Sequence, residues 1–392
     1  MSGVVSVSSV SPSPAATRVE VLPVRSKREL NDFIHLPFRL YKGNLNWVAP
    51  IFYIEKQRFD PKHNPFYAHA DIQLFLAKRE GRIVGRISAQ VDSEHIRYWQ
   101  ERVGMFGFFE CEDDPAAAQA LLTTAEAFLR ERGMERARGP LSFSTNGEVG
   151  LLLDAYHLPQ MPIMPYTMPY YPALIESAGF AKVKDVYAWR WERQEVPEGP
   201  PRRMVAQLRA RPDVKVRRAS MDDFDAEYQI ILRLYNDAWS ENWGFVPATK
   251  AEADEVAKSL KLVIDPAIVP IVEVNGVPAA MALALPDYNW AQAPLHGKLF
   301  PFGWLRLLWR LKVRRPRQGR LALLGVGKDF RSREYAGLAY LICDEIYRAA
   351  KERNYEWAEF GWTLEDNSLI NAIIKKVGAE HYKTYRVYEK ML

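Results

Sequence analysis

Apolar stretches of strand length stand on both sides of a short polar turn in the first quarter of the chain. Ile72–Lys78 and Ile83–Val91 have the apolar content of strands, and Glu80-Gly81-Arg82 between them is typical of a hairpin. Met105–Phe109 predicts a further strand. Apolar residues recur every three or four positions from Ala116 to Arg132, which predicts a long helix.

The same order of elements returns in the second half of the chain. VKVRRA from Val214 corresponds to VEVLPV from Val19, and the turn glycine Gly276 corresponds to Gly81. The glycine after a predicted helix, Gly378, corresponds to Gly179, and the spacing of these matches stays between 195 and 199 residues. Each half reads β-α-β-β-β-α-β-α-β. This internal duplication predicts an α/β fold of two tandem domains, each with a mixed sheet.

The duplication predicts the domain organisation. Residues 1–17 are Ser-, Val- and Pro-rich and predict a disordered tail. We expect a first domain at 18–193, a Pro- and Glu-rich linker at 194–213 and a second domain at 214–392. Each half carries one insertion, Pro140–Pro169 in the first and Leu295–Arg320 in the second. Long insertions between regular elements are commonly functional loops.

The second insertion is basic and amphipathic, and it contains no acidic residue. Arg306, Arg310 and Arg314 recur every four positions, so they share one face of a predicted helix. Aromatic residues accompany them, and the lipid-binding candidates are Phe302, Trp304, Arg306, Trp309 and Arg310. This pattern favours peripheral binding to an anionic membrane. The alternative is a core helix with a solvated basic face; a nucleic-acid patch is less favoured, because the aromatics alternate with aliphatics.

The first insertion places polar side chains among apolar residues and prolines. Its candidate catalytic residues are Glu148, His157 and Tyr166. A carboxylate or an imidazole can act as a general base. Glu148 is the first choice because it follows Asn146-Gly147, and His157 is the second. The alternative is a loop that packs over the sheet without a catalytic role.

Leu321–Tyr340 reads as a strand, a basic turn and the start of a helix. The free N–H groups and the dipole of a helix N-terminus favour an anion at such a turn. The turn contains Arg331, Ser332 and Arg333, and a backbone N–H near Gly325 to Gly327 is a candidate donor to an oxyanion.

Composition narrows the functional classes. The net charge is +5, and seven histidines show no metal-ligand spacing such as H-E-x-x-H, so we expect no metal. Two cysteines, Cys111 and Cys343, fit a reducing compartment. Neither a secretory signal nor an apolar run of about 18 residues is evident. We therefore expect a cytoplasmic protein, with peripheral attachment to the inner face of the membrane.

The turn at Arg331 resembles the acyl-CoA motif of the Gcn5-related N-acetyltransferases (GNATs), Arg/Gln-x-x-Gly-x-Gly/Ala. The frame here is RSREYA, with Glu334 in place of the first glycine. A second family pattern, N-x-x-A-x-x-x-Y-x-x-x-G-F, is met by Asn367 and Gly378 but has Ile374 at the tyrosine that usually protonates the thiolate. The resemblance implies acyl-CoA as co-substrate, held in the second half by Leu324, Gly325, Val326, Gly327, Arg331, Ser332, Arg333, Ala336, Gly337 and Asn367.

The tandem halves, the Asn146-Gly147-Glu148 loop and PFGWLRLLWR together resemble the bacterial ceramide synthase subgroup of this superfamily. That resemblance implies transfer of a fatty acyl group from acyl-CoA to the amine of a long-chain sphingoid base. From the aliphatic residues among the aromatics of the second insertion we expect no nucleic acid as partner. One alternative is a Fem-like transferase that adds amino acids to a peptidoglycan precursor. The other is a non-catalytic acyl-CoA- or lipid-binding protein, which Glu334 and Ile374 would suit.

Overall fold

A computed structural model describes residues 18–392, so the predicted tail at 1–17 lies outside the described residues. The strands join into a single mixed sheet. They are β1 (Glu20–Pro23), β2 (Ala70–Arg79), β3 (Arg82–Asp92), β4 (Val103–Cys111), β5 (Arg136–Gly139), β6 (Leu151–Leu152), β7 (Ala181–Glu192), β8 (Val214–Arg218), β9 (Pro270–Val274), β10 (Val277–Pro286), β11 (Gln318–Val326), β12 (Trp357–Leu364) and β13 (Glu380–Met391). The predicted mixed α/β class is confirmed.

Helices cover both parts of this sheet. They are α1 (Lys27–Leu40), α2 (Phe52–Arg58), α3 (Ser93–Trp99), α4 (Pro115–Glu131), α5 (Tyr171–Ser177), α6 (Pro200–Ala210), α7 (Phe224–Trp239), α8 (Lys250–Lys261), α9 (Tyr288–Gln292), α10 (Gly303–Leu308), α11 (Leu338–Arg353) and α12 (Ser368–Lys376). The periodic apolar positions of α4, such as Leu121, Leu122 and Leu129, are fully buried against the first half of the sheet. None of the helices within 18–392 is long and apolar enough to cross a membrane.

Each half gives its last strand to the other half. The strand order is β1-β2-β3-β4-β5-β13-β7-β12-β11-β10-β9-β8, so β13 lies between β5 and β7, and β7 lies against β12. β7 and β13 are joined by their backbone ladder and by Arg386 of β13. Its Nε and Nη2 donate to the two carboxylate oxygens of Asp185 in β7 at 2.8 and 3.0 Å. The boundaries 18–193 and 214–392 stay a prediction, but the two halves share this exchanged pair of strands.

Two segments differ from their predicted form. The segment expected as a linker contains α6, because Pro200 and Pro201 suit the first turn of a helix and Val205 and Leu208 bury its apolar face. In the second insertion α10 passes into a π-helical turn at Trp309–Arg314, so a strict four-residue arginine face does not form.

Candidate active site

The parallel pair β11 and β12 separates part of the way along its length. The two strands pair from Gln318 opposite Trp357 to Leu321 opposite Phe360, and the ladder ends there although both strands continue. The backbones diverge beyond that point, and the space between them is open to a ligand.

A β-bulge on each strand lies at the point of separation. On β11, Leu321 and Leu323 face consecutive residues of β10, so Ala322 is the extra residue. On β12, Gly361 and Trp362 stand opposite the single residue Ala188 of β7. A bulge bends its strand and leaves the extra residue out of the ladder. The two bulges therefore account for the divergence.

A cavity of about 400 Å³ fills this opening, and we call it the donor cleft. Six of the residues predicted for a CoA site line it: Leu324, Gly325, Val326, Arg331, Ala336 and Asn367. Gly327, Ser332, Arg333 and Gly337 lie outside its wall. Gly337 instead allows close packing, because a Cβ there would come within 2.8 Å of Met204 Cβ.

The basic turn below the donor cleft is more structured than the sequence suggested. Two short 3₁₀ turns, Lys328–Phe330 and Arg333–Tyr335, precede the N-terminus of α11. Arg331 donates to the carbonyl oxygens of Val326 and Ala238 at 3.1 and 2.8 Å, so it ties β11 to α7. Glu334, which replaces the motif glycine, pairs with Arg211 at 2.7 Å. That ion pair offsets the negative charge of Glu334 beside the predicted anion site.

A second cavity, of about 430 Å³, lies beside the donor cleft, and we call it the apolar pocket. α7 and α8 line it together with the segments next to them, β11 and residues 142–147 of the first insertion. Both cavities are lined by Trp239, Asn242, Ala322 and Trp362. The two bulges thus place one residue of each strand, Ala322 and Trp362, where the cavities meet.

Arg320 is a polar residue of the apolar pocket that sequence reasoning missed. Its side chain is 4% exposed, and Nη1 and Nη2 donate to the carbonyl oxygens of Pro162 and Gly361 at 2.7 and 2.8 Å. Its Nε lies 3.2 Å from Oε1 of the buried Glu359, whose other oxygen accepts a bond from Tyr382. Arg320 therefore joins the first insertion to the bulge of β12. No motif marks it; only its position two residues before the bulge connects it with the site.

Glu148 is adjacent to the wall of the apolar pocket. Its carboxylate accepts a bond from Ser142 Oγ at 3.4 Å and lies 3.7 Å from Arg58 Nη2. Its hydrogen-bond partner Ser142 and its chain neighbour Gly147 both line the pocket. Burial raises the pKa of Glu148 above its ordinary value of 4.5, and the charge of Arg58 opposes that rise only in part.

The other two predicted catalytic residues lie away from both cavities. His157 is exposed on the loop after β6, and it contributes to neither wall. Tyr166 is buried in the core of the first insertion, where its hydroxyl donates to Tyr156 O at 2.6 Å and accepts from Asn44. Tyr382 and Tyr385 of β13 also lie outside the two walls, and Ile374 lines the donor cleft.

The equivalent opening in the first half is filled. β4 and β5 pair in parallel only as far as Met105 and Arg138, but Leu141 N then donates to Phe106 O at 2.9 Å. Gly107 lies so close to this segment that a Cβ would stand 1.8 Å from Leu141 O. The first insertion thus occupies the place that corresponds to the donor cleft.

The comparisons with solved structures support the fold. A tandem GNAT protein from the clavulanic acid biosynthesis pathway has a TM-score of 0.54 at 12% identity, and the match covers 95% of this chain and 98% of that chain. A GCN5-related glucosamine N-acetyltransferase region of a fungal GH3 β-N-acetylglucosaminidase also has a TM-score of 0.54, at 14% identity, over 97% of this chain and 39% of that one. The predicted tandem GNAT fold is confirmed.

Two curated relatives then define the family. The bacterial ceramide synthase of Caulobacter vibrioides (strain NA1000 / CB15N) is 42% identical over 377 residues, which cover 95% of this chain and 98% of the relative. Protein YghO of Escherichia coli (strain K12) is 37% identical over 369 residues, 94% of each chain. No family model matches. The chain belongs to the bacterial ceramide synthase family, and its predicted enzyme class, acyl-CoA-dependent N-acyltransferase, is confirmed.

The buried pair Arg320–Glu359 generates a stability prediction. Arg320→Met leaves the Glu359 carboxylate buried without its cation, so we expect a loss of about 3–5 kcal/mol of unfolding free energy. Adding Glu359→Met to that variant should recover most of the loss, because the unpaired charge is then gone. Urea unfolding monitored by tryptophan fluorescence measures both.

Arg317 and Glu356 provide the matched control, since they form an exposed ion pair at the start of the same two strands. Arg317→Met should cost at most about 1 kcal/mol. An Arg320→Met loss as small as that of the control would contradict the role assigned to Arg320.

Proposed function

We propose that the protein transfers a fatty acyl group from acyl-CoA to the amine of a long-chain sphingoid base, such as 3-ketosphinganine or sphinganine. The observation that carries the proposal is the shared wall of the donor cleft and the apolar pocket at Ala322 and Trp362. A thioester in the cleft and an amphiphile in the pocket would meet there. The relative named bacterial ceramide synthase supports the same acceptor class.

The acyl-CoA would be held by the second half. The pantetheine arm would lie between the diverging strands, along Leu324, Gly325 and Val326. The pyrophosphate would lie at the N-terminus of α11, where the helix dipole and free N–H groups favour an anion. Arg331 and Arg333 are both exposed at this turn and would supply positive charge, although Arg331 also holds two backbone carbonyls.

The reaction needs a proton acceptor and a donor to the oxyanion. The amine nitrogen loses a proton and attacks the thioester carbonyl, which forms the C–N bond and a tetrahedral oxyanion. The oxyanion collapses to the amide as the C–S bond breaks, and CoA leaves as a thiolate that takes up a proton from solvent. Glu148 is our candidate acceptor, because burial raises its pKa towards the range useful for a general base. The backbone N–H groups at the Ala322 bulge are our candidate oxyanion donors, because the bulge interrupts the ladder where the two cavities meet. We call this meeting point, at Ala322 and Trp362, the junction.

The two alternative functions have less support. A Fem-like transferase needs room for aminoacyl-tRNA and a peptide acceptor, whereas the pocket beside the cleft is lined largely by apolar side chains such as Ile231, Leu260 and Leu283. A non-catalytic lipid-binding role does not require two cavities with a common wall.

One assay tests the proposal directly. Purified protein is incubated with sphinganine or 3-ketosphinganine and a series of acyl-CoAs, and free thiol and lipid mass are followed. We expect equal amounts of thiol and N-acyl product. Thiol release without N-acyl lipid, or product only from a peptide amine, would contradict the acceptor that we propose.

Glu148→Gln keeps the side-chain shape and removes the base. We expect turnover to fall about 10²–10⁴-fold with acyl-CoA binding intact. A general base works only when it is deprotonated. The wild-type rate should therefore rise with pH as Glu148 loses its proton, at a pKa raised above 4.5. This rise should be absent from the pH–rate profile of the variant. Higher pH should partly restore the variant as more free amine appears. Steady-state rates from pH 5 to 9 measure this.

His157→Ala and Tyr166→Phe are the comparison variants. If Glu148→Gln retains normal turnover and His157→Ala abolishes it, the base lies elsewhere in the first insertion. If all three retain turnover, we would place the base in the second half. There Asp287, whose pKa burial raises to about 6, and the buried Glu359 are next to test.

We also propose that the second insertion binds an anionic membrane, with its apolar side outward. Arg310 is turned back onto the protein, where it stacks 3.8 Å from the Trp290 ring and donates to Trp290 O at 2.8 Å, and Arg306 donates to Pro294 O. Apolar side chains are left exposed, and we call them the docking patch: Phe300, Phe302, Trp304, Leu305, Leu308, Trp309 and Val313, with Tyr53 and Ile54 of α2. Exposed Lys298, Lys312 and Arg315 supply positive charge around it.

Trp304→Glu or Trp309→Glu should abolish binding to phosphatidylglycerol-containing liposomes, because a carboxylate would replace an anchor at the interface. Leu45→Glu changes a still more exposed apolar residue outside the patch, with 94% exposure, and should leave binding intact. Co-sedimentation at low and high salt measures all three, and wild-type binding should weaken with salt. If the wild-type protein does not bind such liposomes at low salt, the docking patch is not a membrane-binding surface.

A further inference from the structure

The apolar pocket follows one helix over its whole length. Phe224, Tyr228, Ile231, Tyr235 and Trp239 line it, and their spacing of three or four residues places them on one face of α7. The 16 residues of α7 span about 24 Å. Trp239 lies at the wall shared with the donor cleft, so Phe224 lies at the far end. The pocket is therefore a groove that begins at the reaction centre.

α8 forms the opposite side of this groove and runs antiparallel to α7. Tyr228 donates to Asp254 at 3.1 Å, and the Lys261 ammonium lies 5.0 Å from the ring of Phe224. The start of α8 is fixed near the junction, because Glu252 caps the helix through Thr249 and lies 3.4 Å from His69 Nε2 of the first half. The residues of α8 that face the groove thus occupy successive distances from the junction.

These residues change in size along the groove. Ala253 and Ala257 are small and line its first and middle parts, whereas the larger Leu260 and Ile264 line it farther from the start of α8. One charged group of the lining, Glu227, accepts a bond from Arg217 through Oε1 at 2.6 Å. A long groove with a mostly apolar wall suits an extended alkyl chain, not a compact ligand.

We propose that the α7–α8 groove takes one extended alkyl chain and that Ala257 and Leu260 set the chain length that the enzyme prefers. This inference rests on the proposed function, in which two long chains meet at the junction. The chain has two possible sources, the acyl group of the donor and the tail of the sphingoid base. Both present the same chemistry to the groove, so the experiment has one arm for each.

Three variants on α8 test the proposal. Ala257→Leu narrows the middle of the groove and should shift the preferred chain to a shorter length. Leu260→Ala opens the far end and should shift it to a longer one. Ala251→Leu is the matched control, because Ala251 is exposed on the same helix and does not line the groove. Each methylene of the alkyl chain that the groove no longer holds should lower kcat/KM about fourfold, and each one that it newly holds should raise kcat/KM by the same factor.

One arm varies the acyl-CoA from C10 to C20 with the base fixed, and the other varies the base with the acyl-CoA fixed. A shift in one arm, in opposite directions for Ala257→Leu and Leu260→Ala, supports the proposal and identifies the chain. Unchanged length preference in both arms, for two variants that unfold at the wild-type temperature, overturns it.

A binding measurement separates this inference from the proposed function. Trp239 and Trp243 line the groove, so their fluorescence reports binding of n-alkylamines and fatty acids of increasing length without catalysis. Length-dependent affinity that shifts in the two variants supports the groove even if no N-acyl product forms. Affinity that is the same for the variants and the wild type at every chain length contradicts it, whatever the enzyme makes.

Discussion

The separation of β11 from β12 is the feature on which the other parts of the site depend. Parallel strands normally keep their ladder, so an opening inside a sheet must be held by other interactions. Here the bulges at Ala322 and Trp362 start the divergence, and Arg320 holds the carbonyl of Gly361 at the second bulge. Glu359 balances the charge of Arg320 in a place that water does not reach. A buried ion pair of this kind is costly to break, which makes it suited to fixing the geometry at the meeting point of two cavities.

The two halves have the same order of elements but differ at their openings. In the first half the segment after β5 closes the space, and Gly107 permits that close approach. In the second half the space stays open, and the first insertion instead forms a wall of the neighbouring pocket. The exchange of β7 and β13 places the halves in one sheet, so the first insertion reaches the second half's cavity. This geometry supports a division in which one half holds the donor and the other helps to shape the acceptor side.

Local sequence signals predicted the elements and, through a partial motif, the region of the donor cleft. The hairpin at Gly81 and the helix at Ala116 follow from turn chemistry and apolar spacing, and six of the residues that the family resemblance indicated line the cleft. The strand exchange was not predictable, because the apolar alternation of β13 is the same whichever half it joins. Arg320 carried no signal, since its role depends on partners distant in sequence, such as Pro162. The arginines of the second insertion were predicted to face a membrane, but Arg310 is drawn to Trp290, a cation–π contact that a helical periodicity does not reveal.

The central claim is that the opening between β11 and β12 receives the acyl donor and delivers its thioester to the Ala322–Trp362 junction. A crystal structure with a thioether analogue of a fatty acyl-CoA tests it most directly. The account predicts the pantetheine arm between Leu324 and Phe360, with the sulfur within about 4 Å of Ala322 or Trp362. Binding of the analogue in the first half, or with its sulfur away from the wall that the two cavities share, would contradict the account.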